Sequence, residues 1–367
     1  MADVLILGGG IIGCAVADEL THRGADVVVV DPRGVGLGAS QASAGMLAPY
    51  TEGRHDPVMQ SLGVRSLNLY DALIDRLRSD GCEVGYTRRG SVEVAVDADG
   101  AARLADDAAA LARDGIAHRL LTGEDTRRAL PALASDVTAS LEVAAHGCVN
   151  VSALVAALWQ TAERRRARLL HRAALRVSPG HGTVRVETSE GPIDAAHVVL
   201  AAGCWAGRID LAGGPTLPVR PVRGQLLVLG LPASPATQAL WGPGCYLVPW
   251  DDGTVLVGAT VEDAGFDEHA TVEGVATLLA AAPAVLPSLA RAAFSAVRVG
   301  LRPGTPDDRP IIGRSTRVEG LVYATGHYRN GALLAPVTAQ LVADAVEGRA
   351  HHGDALDEFS PTRFGEY

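Results

Sequence analysis

Residues 4–13 read Val-Leu-Ile-Leu-Gly-Gly-Gly-Ile-Ile-Gly, an apolar run that leads into the glycine spacing G-x-G-x-x-G. A helical pattern follows over 12–22, and a second apolar run, 27–30, ends at Asp31. This order predicts a strand, a tight turn, a helix and a second strand that ends in an acid. The stretch therefore indicates a dinucleotide-binding unit at the start of the chain.

Each glycine of this motif has its own expected role. Gly8 permits the tight turn, Gly10 lets a pyrophosphate approach the backbone, and Gly13 lets the helix pack closely on the strand. The helix start offers free N–H groups and positive partial charge to phosphates. Asp31, 18 positions after Gly13, is placed to accept hydrogen bonds from a ribose. The alternative is a glycine turn without a ligand, but the flanking strands and the acid favour a dinucleotide.

The composition fits an acidic, folded protein with enough residues for two domains. The chain has 367 residues and a net charge of −10, which disfavours a broad nucleic-acid surface. All 32 basic residues are arginine, so no lysine is present to form a Schiff base or to stand beside a cofactor. No apolar run is long enough to span a membrane, and the first residues lack the basic start of a signal peptide. We therefore expect a cytoplasmic protein without a membrane partner.

The cysteines form no Cys-x-x-Cys pair, which argues against a zinc knuckle or a redox dithiol. They are Cys14, Cys82, Cys148, Cys204 and Cys245. Their odd number and wide spacing fit a reducing compartment, and we predict no metal site.

Periodicity predicts further helices and one long irregular segment. Helices are expected over 57–79, 101–114, 151–168 and 331–346. Residues 34–46 show neither a helical nor a strand period, and their small side chains suit a loop that lies against a large flat ligand; a flexible surface linker is the alternative.

Smaller features of the chain also carry predictions. Asp97–Gly100 is expected to form a turn, and Thr122 is expected to cap a short helix that ends at Pro131. The arginine-rich end of the helix over 151–168 is expected to be a solvated face; nucleic-acid binding is the weaker alternative.

Strand patterns predict a discontinuous nucleotide domain. Two apolar strands, 196–203 and 321–326, end in small residues and are expected to meet the cofactor crevice with their carboxyl ends. Strand-rich patterns between them suggest an inserted, mostly antiparallel α+β domain. We predict a nucleotide domain from 1–82, 147–219 and 301–367, and a substrate domain from 83–146 and 220–300.

Five segments together carry a resemblance to a known family. They are 8–13, Ala42-Ser-Ala-Gly-Met46, Pro221-Val-Arg-Gly-Gln225, Gly300-Leu-Arg302-Pro-Gly and Gly326-His-Tyr-Arg-Asn-Gly331. The chain resembles the FAD-dependent D-amino-acid oxidase superfamily essentially end to end, and within it the glycine oxidases of the thiamine-thiazole pathway. The resemblance implies an α/β fold with an FAD-binding, Rossmann-like domain of the glutathione-reductase type and non-covalent FAD.

The resemblance also implies which residues contact FAD. Beside Gly8, Gly10 and Gly13, it assigns Ile11, Ile12, Asp31 and Pro32 to the adenosine and pyrophosphate, and the backbone of Ala174 to the adenine. It assigns Ala39, Ser40, Ala44, Gly45 and Met46 to the ribityl chain and the isoalloxazine. His327, Tyr328, Arg329, Asn330, Gly331, Ala332 and Leu333 would close over the flavin. The N-terminus of the helix at Gly331 would stabilise negative charge on a reduced flavin.

Three residues are implied to bind the substrate. Arg302 would bind a substrate carboxylate through its planar fork, Tyr246 would add a hydrogen bond, and Arg329 would lie near the amine or the carboxylate. A structural ion pair for Arg302, a core position for Tyr246 and a loop anchor for Arg329 remain the alternatives. His327 is expected to be structural or a flavin contact rather than a general base.

The implied reaction is oxidative deamination of glycine, or of another small amino acid or secondary amine such as sarcosine, D-alanine or D-proline. Hydride transfer to FAD would give an oxo acid, ammonia and, with oxygen, hydrogen peroxide. No acid–base pair is evident near the motifs, and the reaction needs orientation more than proton transfer. The resemblance implies larger side chains at positions 244 and 261 in glycine oxidases, so Gly244 and Val261 of this chain would widen the pocket.

Other functions remain open at this point. They are a D-amino-acid dehydrogenase that passes electrons to a quinone, a flavin module acting on modified tRNA, and an NAD-dependent dehydrogenase. The expected partners are a small amino-acid substrate, oxygen and further copies of the same chain, without nucleic acid.

Overall fold

The computed structural model describes residues 2–234, 236–349 and 354–365. In this part of the chain the strands are β1 (Ala2–Leu7), β2 (Val27–Val30), β3 (Met46–Leu47), β4 (Tyr86–Thr87), β5 (Ser91–Ala95), β6 (His118–Thr122), β7 (Ala139–Val143), β8 (Gly147–Val149), β9 (Arg168–Leu170), β10 (Ala174–Pro179), β11 (Val184–Thr188), β12 (Gly191–Leu200), β13 (Asp210–Leu211), β14 (Arg220–Gly230), β15 (Ala239–Gly242), β16 (Cys245–Pro249), β17 (Thr254–Gly258), β18 (Ala293–Gly304), β19 (Ile311–Arg314) and β20 (Leu321–Thr325). The helices are α1 (Ile11–His22), α2 (Pro49–Glu52), α3 (Pro57–Ser79), α4 (Ala98–Arg113), α5 (Gly123–Ala129), α6 (Val151–Arg164), α7 (Val272–Val285) and α8 (Gly331–Val346). Short 3-10 helices cover Ala39–Ala42, Gly203–Arg208, Pro287–Arg291, Asp354–Phe359 and Pro361–Phe364.

The first sheet has a parallel centre in the order β9-β2-β1-β12-β20. An antiparallel extension of β11 and β10 pairs with the first half of β12, and β19 pairs antiparallel with β20. All four residues of β2 are buried valines. A continuous apolar strand of this kind is expected where a parallel sheet is covered on both faces.

Helices cover one face of this sheet, and loops and the antiparallel extension cover the other. On the helical face, Ile6 and Val29 pack into one apolar core with side chains of α1, α3, α6 and α8. On the opposite face, Leu5 and Leu200 pack with Tyr323 and residues of β10 and β11. The carboxyl ends of β1, β2, β12 and β20 therefore meet at one edge of the sheet, where ligands bind in folds of this type.

The second sheet has the order β18-β14-β17-β16-β15-β5-β7-β6. Its neighbours are antiparallel except for β15 and β5, which run parallel. Helix α7 packs on it through Leu278 and Ala282, which are buried with Leu227 and Leu247. The long β14–β18 ribbon brings residues 220–230 against 293–304 and contacts the 3-10 helices Ala39–Ala42 and Gly203–Arg208, which follow β2 and β12 of the first sheet.

A small third sheet has the order β3-β8-β4 and pairs the segment after residue 45 with residues 147–149. Strands β5–β7 and β14–β18 form the second sheet, and β18 continues through the predicted boundary at 301 to Gly304. The α/β class, with a parallel nucleotide sheet and a mostly antiparallel second sheet, is confirmed. The exact domain boundaries stay a prediction.

The helices predicted over 57–79 and 331–346 have those bounds in the structure. Asp56 caps the first of them, because its side chain accepts hydrogen bonds from the backbone N–H groups of Val58 and Met59. Pro57 at the first helical position adds a fixed backbone angle suited to a helix start. Local signals were sufficient at these positions.

The smaller local predictions were confirmed only in part. Asp97 caps α4 through the N–H of Gly100, so residues 98–100 are helical rather than a turn. Thr122 precedes α5 but makes no side-chain cap bond to its backbone, whereas the helix ends at Ala129, just before Pro131, as predicted. Residues 34–46 are mostly irregular, as expected, apart from the short 3-10 helix Ala39–Ala42 and Met46, the first residue of β3.

The helix predicted over 151–168 ends at Arg164, and Arg168 starts β9. The arginines after it are not simply solvated. Arg165 donates to the buried carboxylate of Asp18 at 3.0 Å and to Asp80 at 2.9 Å. These ion pairs join elements that are distant in sequence, which periodicity does not report.

Candidate active site

A cavity of about 660 Å³ opens where the ends of β1, β2, β12 and β20 meet the β14–β18 ribbon. It is lined by the predicted site residues other than Gly13 and Leu333. These lining residues are Gly8, Gly10, Ile11, Ile12, Asp31, Pro32, Ala39, Ser40, Ala44, Gly45, Met46, Ala174, Tyr246, Arg302, His327, Tyr328, Arg329, Asn330, Gly331 and Ala332. The fold thus brings the start, middle and end of the chain into one pocket.

Gly13 and Leu333 lie outside the cavity lining. A Cβ at Gly13 would come within 1.9 Å of the carbonyl oxygen of Gly8, so glycine is needed there for α1 to pack on the turn. Leu333 is 3% exposed and belongs to the core on the helical face, where its side chain packs at Gly63. Both residues therefore stabilise the fold around the pocket and do not form part of its wall.

The glycine turn leaves space beside the start of α1. Gly8 has φ +114° and a Cβ there would lie 2.4 Å from the carbonyl oxygen of Ala201, so the turn requires glycine. Gly10 has φ −73°, and the nearest atom to a Cβ on it would be Ser40 Oγ at 3.5 Å. Alanine is therefore conformationally acceptable at Gly10, and its methyl group would enter the cavity.

Helix α1 begins at the cavity without a side-chain cap at Gly10. The N–H of Ile11 donates to Ser40 Oγ at 2.9 Å, and Ser40 is itself part of the lining. The remaining N–H groups of the first turn and the helix dipole favour an anionic group at this place. Geometry and charge both suit a pyrophosphate.

Asp31 is held rigidly at the end of β2. Its Oδ2 accepts a hydrogen bond from the N–H of Gly9 at 2.8 Å, and its Oδ1 accepts from Arg33 and Gly34 at 2.8 and 3.1 Å. Carboxylate oxygens accept more than one hydrogen bond each. Asp31 therefore fixes the glycine turn and keeps acceptor capacity for hydroxyl groups in the cavity.

A second helix, α8, also begins at the cavity. Its N-cap residue, Asn330, makes no side-chain cap bond, and Gly331 and Ala332 line the pocket. The hydroxyl of Tyr70 donates to the carbonyl oxygen of Ala332 from the core side. The positive end of α8 is thus aimed at the same space as the wall formed by residues 44–46.

His327 stands before this helix and is almost fully buried. Its Nε2 lies 3.0 Å from Thr338 Oγ1 in α8, and burial lowers the pKa of His327 to about 3. A neutral imidazole that bonds to a helix hydroxyl fits a structural role. This agrees with the expectation that His327 is not a general base.

Arg302 is the central cation of the pocket. It lies on β18, and its Nη1 donates to the carbonyl oxygens of Thr260 at 3.0 Å and Arg223 at 3.3 Å. Among the described residues, no carboxylate forms an ion pair with it. Burial lowers the pKa of Arg302, while the nearby Tyr246 acts in the opposite direction. A half-buried guanidinium held by neutral carbonyls is prepared to accept an anion.

The support for Arg302 is itself a buried polar network. Arg223, which is 6% exposed, donates to Glu262 at 2.9 Å and to Asp267 at 2.7 Å. The side chain of the fully buried Gln225 donates to Glu262 at 2.8 Å, and its backbone N–H donates to the hydroxyl oxygen of Thr260 at 2.9 Å. The network holds Thr260, and therefore the carbonyl that orients Arg302.

Tyr246 lies on β16 directly opposite Gly258 of β17. A Cβ at Gly258 would come within 2.3 Å of the phenol ring, so the ring packs flat on the glycine. Burial raises the pKa of Tyr246, and the guanidinium of Arg302 partly counters this effect. The phenol therefore remains a protonated donor beside the cation near neutral pH.

Arg329 differs from Arg302 because it is exposed at the mouth of the pocket. Its guanidinium carbon lies 5.8 Å from the ring centroid of Tyr328, within cation–π distance. The hydrogen bond from the N–H of Tyr328 to the carbonyl oxygen of Pro303, 3.0 Å, ties this loop to β18. The two cations thus occupy the wall and the entrance of one pocket.

A family model described as "FAD dependent oxidoreductase" matches residues 3–345. The chain belongs to this FAD-dependent oxidoreductase family. The FAD-binding, Rossmann-like fold and the FAD cofactor predicted from the sequence are thereby confirmed.

Individual relatives lie within the same family. Bifunctional protein ThiO/ThiG of Nostoc sp. is 36% identical over 94% of this chain and 52% of its own length, so the chain spans about half of that relative. Glycine oxidase of Geobacillus kaustophilus is 33% identical, and its crystal structure covers 99% of this chain and 98% of its own with a TM-score of 0.95. Iminodiacetate oxidase of Chelativorans sp. is 31% identical, with a TM-score of 0.89 over 98% of both chains.

The pocket of this FAD-dependent oxidoreductase fits FAD in three respects. The glycine turn leaves open space at Gly10, the starts of α1 and α8 present free N–H groups, and Asp31 keeps acceptor capacity at the ribose position. Small residues between Ala39 and Met46 form a wall without bulky side chains. The pyrophosphate suits the start of α1, and the flavin suits the start of α8.

Several residues that line the cavity of the oxidoreductase were not predicted from the sequence. Arg33 stacks on Trp205 at 4.2 Å and pairs with Glu268 at 2.8 Å, and Arg208 stacks on Phe266 at 3.5 Å. Arg33 follows Asp31 and Pro32 in sequence, so its position carried a signal. Glu52 lines the cavity as well and carried no motif signal.

Two positions expected to widen the pocket do not line it. Val261 is 54% exposed, and Gly244 lies in a turn with φ +79° near Ala281. Neither changes the size of the cavity in the described structure.

Two kinds of feature are absent from the described residues. These residues contain no group of three or more His, Cys, Asp and Glu side chains arranged to hold a metal ion. They also contain no helix with the length and apolar character needed to cross a membrane.

Proposed function

We propose that the protein oxidises glycine or another small amino acid or secondary amine, and that it releases hydrogen peroxide when oxygen is the electron acceptor. The observation that carries the proposal is the half-buried guanidinium of Arg302 on the wall of an FAD pocket, which pairs with no carboxylate among the described residues. A substrate carboxylate would neutralise it through two parallel hydrogen bonds.

The residues around Arg302 support a role in orientation. Tyr246 would donate its hydroxyl hydrogen to the same carboxylate, and the carbonyl oxygens of Thr260 and Arg223 hold the guanidinium fork in place. Bound FAD supplies the two-electron acceptor for cleavage of the substrate Cα–H bond. A fixed carboxylate limits which substrate atom faces the start of α8. Orientation of this kind supplies much of the rate enhancement in such reactions.

The names of the relatives support a range of amine substrates that is wider than glycine alone. The names glycine oxidase and iminodiacetate oxidase belong to relatives that are 31–33% identical to this chain. Iminodiacetate has a second carboxylate, and Arg329 at the pocket mouth offers a cation for such a group. We therefore include secondary amines that carry one or two carboxylates among the proposed substrates.

Peroxide release from FAD-saturated protein tests the proposal with a panel of glycine, sarcosine, D-alanine, D-proline and iminodiacetate. Anaerobic bleaching of the flavin absorption by each compound reports substrate oxidation without oxygen. Bleaching by an amine together with peroxide release supports an oxidase. Bleaching without peroxide, with turnover restored by a quinone analogue, would instead support a dehydrogenase.

The relatives named ThiO/ThiG suggest a role in thiamine-thiazole synthesis, and we retain this role as a proposal. A deletion strain that needs external thiazole would support it, and growth without thiazole would argue for amine catabolism. The cytoplasmic location and the homo-oligomer stay predictions, which cell fractionation and light scattering after size-exclusion chromatography would test.

A further inference from the structure

Glu52, at the end of α2, is a half-buried carboxylate on the wall of the cavity. The other carboxylates of the described lining are engaged, because Asp31 accepts backbone N–H groups and Glu268 pairs with Arg33. Glu52 forms no side-chain hydrogen bond or ion pair within the described part of the protein. It is therefore a free anion in the pocket that contains Arg302.

The arginine nearest to Glu52 in sequence is occupied elsewhere. Arg54 pairs with both Glu93 and Asp107, so it does not neutralise Glu52. The chain between them is tightly packed, since a Cβ at Gly53 would lie 2.8 Å from the Cα of Gln60. The turn separates the two charges and directs them to different surroundings.

Buried contacts fix the short helix that carries Glu52. The N–H of Tyr50 donates to Nε2 of His146 at 3.3 Å, and the two rings stack with centroids 5.6 Å apart. Nδ1 of His146 lies 2.7 Å from Ser91 Oγ. The carboxylate is therefore presented by a rigid segment rather than by a free loop.

The pocket consequently contains charges of both signs. Arg302 and Arg329 contribute cations, and Glu52 lies close enough to act electrostatically on both Arg302 and Tyr246. An amino acid in water is a zwitterion, with a carboxylate and an ammonium group. A substrate whose carboxylate is bound by Arg302 still needs compensation for its positive amine in a partly dry pocket.

We propose that Glu52 binds the cationic amine of the incoming substrate and so selects zwitterions over simple carboxylates. The inference rests on the proposed function and adds a specificity-determining residue to it. Arg302 attracts any small carboxylate, whereas Glu52 attracts the ammonium group and repels anions that lack one. The ligand class is therefore small amino acids with a primary or secondary amine.

The test compares two ligands of similar size, glycine and acetate, in Glu52→Gln and the unchanged holoenzyme. Binding of glycine is measured from the anaerobic reduction rate at several concentrations, and binding of acetate from the shift of the flavin absorption. Loss of the carboxylate should weaken glycine binding by about 10- to 100-fold. Acetate should bind several-fold more tightly, because a repelling charge has been removed.

Two companion variants separate charge from structure. Glu52→Asp keeps the charge and should retain most of the preference for glycine over acetate. Thr51→Ala alters the same helix outside the cavity lining and should leave both affinities unchanged. A structural role for Glu52, for example in holding Arg329, predicts instead that Glu52→Gln weakens glycine and acetate together.

The outcomes distinguish this inference from the proposed function. Opposite changes for glycine and acetate support it. Parallel changes, or none, in an enzyme that still oxidises glycine overturn the role of Glu52 alone. An unchanged holoenzyme that binds FAD but neither bleaches with an amine of the panel nor binds acetate overturns the proposed function itself, and the role of Glu52 with it.

Discussion

The guanidinium of Arg302 lies directly on Gly224, so that a Cβ at Gly224 would stand 2.3 Å from Nη1 and 2.4 Å from Nη2. The two residues belong to the paired strands β18 and β14, and the glycine gives the arginine its place over the ribbon. Gly224 belongs to the segment Pro221-Val-Arg-Gly-Gln225, one of the five that carry the family resemblance. This contact gives a physical reason for a glycine in that segment. Its glycine makes room for the side chain that we propose binds the substrate carboxylate.

Replacement of Gly224 by alanine should displace Arg302 without unfolding the protein, because the conflict is with the end of a flexible side chain. We expect FAD binding and thermal stability close to those of the unchanged protein, with acetate affinity lowered at least about tenfold, as for a lost charged hydrogen bond. Gly230→Ala on the same strand is the control, since the nearest atom to its Cβ would be Ser295 Oγ at 3.8 Å. Equal acetate affinity in both variants would contradict the positioning of Arg302 by Gly224.

Arg302→Met should remove the carboxylate site itself. The transition state would lose on the order of 3–5 kcal/mol if the substrate carboxylate is left unpaired in the pocket. We expect kcat/KM for the preferred amine to fall accordingly while the flavin spectrum stays that of bound FAD. Arg220→Met, an exposed residue of β14, is the matched control. An almost unchanged kcat/KM in Arg302→Met would exclude Arg302 from substrate binding.

The glycine turn should separate FAD binding from folding. Gly10→Ala has an acceptable backbone angle but places a methyl group where the pyrophosphate is expected, so FAD affinity should fall while the stability of the FAD-free protein is retained. Gly8→Ala combines φ +114° with a Cβ 2.4 Å from the carbonyl oxygen of Ala201, so it should lower the free energy of unfolding. Fluorescence titration with FAD and urea unfolding of the FAD-free proteins measure the two effects.

Normal FAD binding by Gly10→Ala or normal stability of Gly8→Ala would each contradict one part of this interpretation. If Gly10→Ala bound FAD normally, the pyrophosphate would not approach this part of the backbone. If Gly8→Ala were as stable as the unchanged protein, the turn would have an alternative conformation that accepts a side chain.

Much of the cofactor pocket could be predicted because its signals are local. The spacing of Gly8, Gly10 and Gly13, the acid at position 31 and the periodic helix 331–346 each encode geometry within a short segment. The role of Arg302 on the antiparallel β14–β18 ribbon was predicted from the family resemblance and not from periodicity. Nothing in the alternation of residues 293–304 distinguishes Arg302 from Arg298 on the same strand.

The rest of the pocket depends on contacts between distant segments. Arg33 and Glu268 are 235 positions apart and meet only when the two sheets pack together. Glu52 lies in a four-residue helix whose position depends on His146, almost a hundred positions later. Sequence patterns report the secondary structure of such residues but not their partners.

His146 gives the last prediction, which concerns the pH dependence of stability. The N–H of Tyr50 donates to Nε2, so Nδ1 carries the proton toward Ser91 and the ring is neutral. Burial lowers the pKa of His146 from 6.5 to about 3. Below pH 6.5 the unfolded chain binds a proton that the folded chain does not, so stability falls as pH drops from 6.5 toward 3.

The contribution of this one group at pH 5 is about 2 kcal/mol relative to pH 7. Replacing His146 with asparagine, whose amide can donate to Ser91, should therefore reduce by that amount the loss of unfolding free energy between pH 7 and pH 5. His22→Asn, at an exposed position, should leave the loss unchanged. Urea unfolding of the FAD-saturated proteins at the two pH values provides the measurement. Equal losses in His146→Asn and the unchanged protein would mean that His146 is protonated in the folded state, and the hydrogen bond from Tyr50 would then have to break on acidification.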